Sequence, residues 1–322
     1  MTREEALRVF QQEHSQLLEQ CQQRFIDDFP NKVQTLMERI NHAFASIRKQ
    51  VEEQEKEKVV FFHFSLLRCD LLVRKFTILL QVQDIRWFLD PMPLETLFSV
   101  DFLYENLVQT WDWLLDERKK YIGKVSTYDV DFMMSDLIFT CNRIVGNALR
   151  YFFRDIEDST EFMAIPKEFP WDIYWGEYRN EAILTARVAR IPKTQKEWQT
   201  ALQLDTEGTR LSESYWYQAS LETGNCSGKL LCFMTFEDCQ LKNINFKTAD
   251  LTGARFCNCL IENCDFESAI LTTTLFENCR WLNTSLLNAE LRQAVFTEDS
   301  IPEEGLDDRQ LSELLLKGGI ES

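Results

Sequence analysis

From Phe236 to Phe296 every fifth residue is large and apolar. The series runs Phe236, Leu241, Phe246, Leu251, Phe256, Ile261, Phe266, Leu271, Phe276, Trp281, Leu286, Leu291, Phe296. At a background of about 30% for such residues, an unbroken run of this length has a chance of order 10⁻⁷, so the pattern is structural. A step of five matches neither the helical period of 3.6 nor the strand period of 2.0, and predicts a repeat. Two places before each centre stands a mostly small, uncharged residue, such as Cys239, Ala249, Ala254, Cys259, Cys264, Ala269 or Ala289. In extended backbone that residue shares the face of its centre. Each unit therefore sends one large and one small side chain inward and then turns. Pairs such as Glu237-Asp238, Lys242-Asn243 and Glu277-Asn278 follow the centres and belong outside.

A period of twenty overlies the period of five. Phe236, Phe256, Phe276 and Phe296 form one column, Leu251, Leu271 and Leu291 another, and Cys239, Cys259 and Cys279 a third. Four units then make one square coil, stacking like on like at about 4.8 Å, with coil-to-coil hydrogen bonds satisfying the backbone. Residues 231–296 hold thirteen such units, a little over three coils. Met234 and Ile244 are bulky at the small position and Trp281 is large for a centre, which predicts a shaft that is wider near its N-terminal end.

Helical spacing governs the N-terminal half. Leu7, Phe10, His14, Leu17, Cys21 and Phe25 predict a first helix that ends at Pro30, with Asn31 capping the next. Val33, Leu36, Ile40, Phe44, Ile47 and Val51 predict the second, which trails into the charged segment 52–58. The apolar run 59–82 predicts a buried third helix, 94–117 a fourth, and 128–153 a fifth capped by Ser126-Thr127. The expected arrangement is an all-α antiparallel bundle over 1–154. A mixed, aromatic-rich connector over 155–230 is expected to cap the open end of the coil. An acidic helix over 297–322, carrying Leu311, Leu314, Leu315 and Leu316, is expected to plug the other end.

Composition adds modest constraints. The chain has 322 residues, which suits two domains, and a net charge of −17. The repeat contributes only −3 of this, the tail −6 and residues 1–230 the remaining −8. No segment is basic enough to bind nucleic acid by counter-ion release. The first residues open directly into a charged helix, so no secretory leader is expected. The most apolar stretch, 59–73, is interrupted by His63, Arg68 and Asp70, so no membrane span is expected either. Ten cysteines without a leader point to a reducing, cytoplasmic setting. Cys257-Asn258-Cys259 with Cys264 makes a poor zinc site, because Cys257 should face outward and Cys259 inward.

Signatures of catalysis are missing from the sequence. The three histidines, His14, His42 and His63, have no ligand spacing, and neither phosphate-binding glycine motifs nor a nucleophile elbow occur. No metal or cofactor is expected. Arg68, Asp70 and Arg74 lie inside the apolar run and are the polar candidates, read first as a local Asp70–Arg74 ion pair and otherwise as a polar site. Asp129/Asp131 and Asp112/Asp116 read as solvated helix faces.

The stretches TADLT, TGARF, ENCDF, ESAIL and LNAEL resemble pentapeptide repeats of the A-(D/N)-(L/F)-x-x type. The resemblance covers 231–296 and implies a right-handed quadrilateral parallel β-helix. The expected fold class is thus multidomain α and β, with a helical bundle, this β-helix and a capping helix. The function expected first is a non-catalytic interaction or scaffold protein whose partner is another protein. The resemblance also implies an alternative, since some family members bind DNA gyrase by imitating duplex DNA. Those members have long, strongly acidic coils that dimerise at a C-terminal end, and this chain departs from them on each count. A second alternative is an enzyme or ligand-binding protein with its site in the helical region.

Overall fold

The computed structural model describes residues 1–302 and 305–317. The chain divides into two compact units, Met1–Arg187 and Val188–Ser322. A helical N-terminal region is followed by a β-solenoid of about five turns.

In the first unit, α1 (Arg3–Gln54) opens with a capping box between Thr2 and Glu5. It runs through Pro30 without a break, which corrects the expected division into two helices. Pro30 is exposed, and Ile26, whose carbonyl loses its usual donor, is exposed as well, so water can replace the missing bond. The two apolar stripes read from the sequence belong to this one helix. The run 59–82 is the larger correction. It forms β1 (Val59–Leu66), a short α2 (Arg68–Leu71) and β2 (Thr77–Gln83) in place of a third helix. Its apolar character on all sides is that of a sheet strand covered on both faces, and Val59-Val60-Phe61-Phe62 consists of strand formers. β3 (Leu94–Ser99) occupies the first part of the expected fourth helix, and α3 begins only at Asp101 and ends at Glu117. α4 (Thr127–Phe152) matches the expected fifth helix, with Ser126 and Asp129 forming its capping box. After α5 (Thr160–Met163) come β4 (Lys167–Glu177) and β5 (Ala182–Val188).

The sheet order is β3-β2-β1-β4-β5, with β1 antiparallel to β2 and parallel to β4. The unit is therefore mixed α and β rather than an all-α bundle. Val60, Phe62, Phe64 and Leu66 of β1 point to one face with Trp171, Ile173 and Trp175 of β4, and all are buried. Phe62 and Phe64 pack edge-on against Phe44 of α1. Asn142 of α4 links the layers. Its carbonyl oxygen accepts from Trp175 Nε1 at 2.8 Å and Tyr104 OH at 3.2 Å, and its amide donates to the Gly176 carbonyl at 2.9 Å. The opposite face carries Phe61, His63 and Tyr174. His63 lies flat on Tyr174, with ring centroids 4.8 Å apart and 6° between planes.

In the second unit, α6 (Gln195–Leu204) places Trp198 over the first turn, where its indole donates to the Thr223 carbonyl at 3.0 Å. The coil starts earlier than expected. Tyr215-Trp216-Tyr217 pairs in parallel with Thr235-Phe236-Glu237, so the expected connector 155–230 is shared between the sheet and the first turn. Pairing then advances twenty residues at a time, Phe236 to Phe256 to Phe276 to Phe296, and on to Leu316. The phenylalanine column stacks at 5.1, 4.9 and 4.8 Å, and Phe246 stacks on Phe266 at 4.7 Å. Every centre from Phe236 to Phe296 is buried except Trp281, which is partly exposed and donates to the Ser300 carbonyl. The corners lie in the left-handed region at five-residue steps, as at Asp238, Asn243, Thr248, Gly253, Asn258 and Asn263. Asparagine tolerates that conformation, which accounts for Asn258, Asn263, Asn278, Asn283 and Asn288.

At the C-terminal end, helix α7 spans only Asp308–Glu313. Leu315 and Leu316 lie beyond it in a strand, exposed rather than plugging the shaft. Leu314 does pack against the end of the core, together with Ile301 and Leu306, and the buried Gln310 completes the cap, its amide donating to the carbonyls of Leu286 and Ala289. The last residues of the expected 297–322 helix fall outside the described residues. Cys257, expected to face outward to solvent, is buried, with its thiol 3.9 Å from a Glu277 carboxylate oxygen.

Two predictions follow from this packing. Phe256→Ala removes a ring sandwiched between Phe236 and Phe276, and is expected to destabilise the coil by about 3–5 kcal/mol, read as a drop in denaturation midpoint. The second concerns His63, whose pKa is pulled down to about 4 by burial, with Asp172 opposing. Its ordinary value is 6.5. Between these values the unfolded chain binds a proton that the folded chain does not, so stability falls as pH drops through that window. His63→Phe is expected to flatten this part of the stability–pH profile, and equal slopes in both proteins would assign the loss to other groups.

Candidate functional site

The connection between β1 and β2 holds all three polar candidates, but it separates them. α2 ends at Leu71, and Arg74 has φ +55°, so no helical turn brings Asp70 to Arg74. Arg74 instead pairs with Asp112 at 2.7 Å and lies over the Trp111 ring at 4.9 Å. Arg68 donates to the Glu177 carboxylate and lies over the Phe139 ring at 4.8 Å. Asp70 turns its backbone carbonyl to the N–H groups of Val73 and Lys75 and shapes the turn. Arg68 and Arg74 meet at a cleft of about 450 Å³ whose walls include Leu72, Trp111, Phe132 and Phe139. Trp111 Nε1 donates to Asp131 across it at 2.8 Å. Of the four carboxylates read as solvated, Asp112 and Asp116 are exposed, pairing at the surface with Arg74 and Lys119, whereas Asp129 is buried between Arg3 and the α4 cap and the half-buried Asp131 accepts from Trp111. The cleft is an amphipathic recess whose two guanidinium groups are each stacked on a ring and matched by a carboxylate.

The β2–β3 loop, 84–93, is the second feature, and the sequence reading passed over it. Asp90 is buried at its base and accepts from Lys56 Nζ and from the backbone N–H groups of Asp84 and Met92. Burial would raise the Asp90 carboxyl, but these hydrogen bonds outweigh it and hold the group below the usual carboxylate range. Trp87 sits at φ +57°, a conformation that is uncommon for a bulky residue and is sustained here by packing. Its ring stacks on Phe61 at 4.7 Å and on His63 at 5.7 Å. With its base so fixed, the loop presents Ile85, Phe88, Leu89 and Met92 to solvent at 67, 68, 84 and 56% exposure. Beside it lies a recess of about 470 Å³, bordered by Glu55, Glu57, Lys58, Arg86 and Met92 among others. A signal was available in Ile85-Arg86-Trp87-Phe88-Leu89, an apolar, Arg-containing run between Asp84 and Asp90-Pro91. Extending a helix through residue 82 obscured it.

The outer surface of the coil carries ladders. Asn258 donates to Asp238 at 3.0 Å and Asn278 to Asn258 at 3.2 Å, one turn apart each time. Acidic side chains are largely met by cations, in the pairs Lys242–Glu262, Lys247–Asp265 and Lys317–Glu277. Inside, Cys239, Cys259 and Cys279 direct their thiols to the carbonyls of Trp216, Phe236 and Phe256. No cluster of three or more histidine, cysteine or acidic residues suited to a metal occurs among the described residues, and no described helix is long and apolar enough to cross a membrane.

No curated protein matches the chain. Among solved structures it is similar to HetL, a pentapeptide repeat protein involved in heterocyst differentiation regulation from the cyanobacterium Nostoc sp. strain PCC 7120. The identity is 24% over 29% of this chain and 42% of HetL, with a TM-score of 0.27. It is also similar to QnrB1, a plasmid-mediated fluoroquinolone resistance protein, with 20% identity over 27% of this chain and 47% of that one and a TM-score of 0.26. A pentapeptide repeat protein of the Arabidopsis thaliana thylakoid lumen matches at 24% identity over 34% of this chain and 75% of its own, with a TM-score of 0.27. The chain thus spans less than half the length of HetL or QnrB1. Residues 239–278 match the family model for pentapeptide repeats in eight copies, and with buried centres every fifth residue and pairing every twentieth, the C-terminal region is a pentapeptide-repeat coil.

Proposed function

We propose that the chain is a non-catalytic interaction protein that binds another protein, using the apolar loop of its N-terminal unit and offering the coil as a second, rigid surface. The observation that carries this reading is the loop 84–93. Four large apolar side chains are held in solvent by a buried ion pair and a stacked tryptophan, so the patch is pre-organised rather than loose. Partner identity is approached by capture on immobilised protein, comparing the native chain with Phe88→Asp/Leu89→Asp. Both sites are exposed, so the variant should keep its fold. At least one partner is expected to be lost from the variant and retained by the native chain, and an identical captured set from both would remove the reading.

A second reading, binding of DNA gyrase through imitation of duplex DNA, gains from the coil's length. Five steps between rungs, Tyr215 to Leu315, reach about 24 Å, more than three coils would. The charge opposes it, because pairs such as Lys247–Asp265 and Lys317–Glu277 neutralise the acidic columns that mimicry needs. The purified protein is expected to leave gyrase supercoiling unaffected at large molar excess, and dose-dependent inhibition would put this reading first. A ligand-binding reading has its place in the Arg68–Arg74 cleft, although both guanidinium groups there are already matched by carboxylates.

A further inference from the structure

The surroundings of the loop specify a chemistry for its partner, an inference that rests on the interaction reading above. Around the neighbouring recess each cation already faces a carboxylate: Lys56 with Asp90, Lys58 with Glu168 at 3.5 Å, and Arg86 with Asp84. Glu55 and Glu57 border the same recess, both exposed, and neither has a cationic partner among the described residues. Glu55 is the left-handed C-cap of α1, with φ +51°, and its N–H donates to the Val51 carbonyl, so its backbone is fixed. The carboxylates also sit at the C-terminal end of that helix, where the dipole adds negative potential and the last turn holds no basic residue. Ile85 and Met92 of the loop line this recess together with Glu55 and Glu57, so the apolar loop and unmatched negative charge adjoin on one unit.

We propose that Ile85, Phe88, Leu89 and Met92, with Glu55 and Glu57, form a docking surface for a basic amphipathic segment of a partner protein. Apolar side chains of that segment cover the loop, and its lysines or arginines pair with the two glutamates. A lipid surface is the poorer occupant. An anionic membrane attracts basic segments, and the unmatched charge beside this loop is negative. The apolar contacts supply affinity and the charges supply orientation and association rate.

The test uses the full-length protein and a fluorescent four-turn peptide of leucine and lysine with one apolar face, read by anisotropy. A leucine–glutamate peptide of the same pattern is the control. The leucine–lysine peptide is expected to bind and the control not to bind. Phe88→Ser/Leu89→Ser is expected to weaken binding by about tenfold or more, equivalent to about 1.4 kcal/mol. Glu55→Gln/Glu57→Gln is expected to weaken binding several-fold and to reduce its salt dependence. Unfolding midpoints and circular dichroism of both variants should match the native chain, since all four positions are exposed. Affinity unchanged in the serine variant would show the peptide to be held by the general negative charge of the chain, and would overturn the proposal. Equal binding of the acidic peptide would overturn it too. So would sedimentation with phosphatidylcholine vesicles that is abolished by the serine substitutions while peptide binding is not. If partner capture depends on Phe88 and Leu89 but peptide binding ignores Glu55 and Glu57, the interaction reading stands and the basic partner falls.

Discussion

The coil depends on one constraint: each rung must lie directly over the rung twenty residues before it. Parallel pairing of Phe236, Phe256, Phe276 and Phe296 satisfies the backbone between turns and places identical rings at stacking distance in the same step. Neither contribution survives without the other. A ring displaced sideways opens a void that its neighbours cannot fill, because the shaft has a fixed cross-section. The thiols of Cys239, Cys259 and Cys279 obey the same rule on a smaller scale, each reaching the carbonyl of a residue one turn back. Such a body is built from nearest-neighbour interactions, so its ends need separate solutions. Trp198 supplies one, and Gln310 with Ile301, Leu306 and Leu314 the other.

The N-terminal unit meets a different requirement. Its sheet is covered by helices on one face, where Phe62, Phe64 and Trp175 are sealed against α1 and α4, and by its own aromatic loop on the other. The polar groups that enter this interior are handled in two ways. Asn142 is satisfied by Trp175, Tyr104 and Gly176 and ties three elements to one point. His63 is accommodated by staying neutral between Tyr174 and Trp87. The same stack that covers His63 holds Trp87, and through it the exposed tip of the loop. Core packing and surface presentation are therefore consequences of one set of rings.

Legibility differed sharply between the two units, for physical reasons. In the coil every residue's environment is set by its place in a five-residue unit, so the inward positions from Phe236 to Phe296 could be read from spacing alone. The first turn escaped because Cys226 stands as a small residue at a centre, between Leu221 and Leu231, and interrupts the run of large side chains. In the N-terminal unit the stripe of α1 was clear, but Val59–Leu66 was not, since a strand buried on both faces shows no alternation and looks like an apolar helix. Arg68 and Arg74 stand out in the sequence as charges inside or beside an apolar run. Their partners, Glu177 and Asp112, lie far along the chain, and only the sheet and α3 bring them close. The loop tip was hidden by the same misreading of residues 59–82.

The left-handed corners, one in every five residues, carry a consequence for how such a chain can change length. Inserting or removing a single residue would move each later side chain off its wall and put an arbitrary residue at a bend that tolerates few. Only a multiple of five restores the bends, and only a multiple of twenty also returns every side to its own wall. Variation in this solenoid is thus quantised: substitution can be gradual, whereas growth and shrinkage come as whole sides or whole turns.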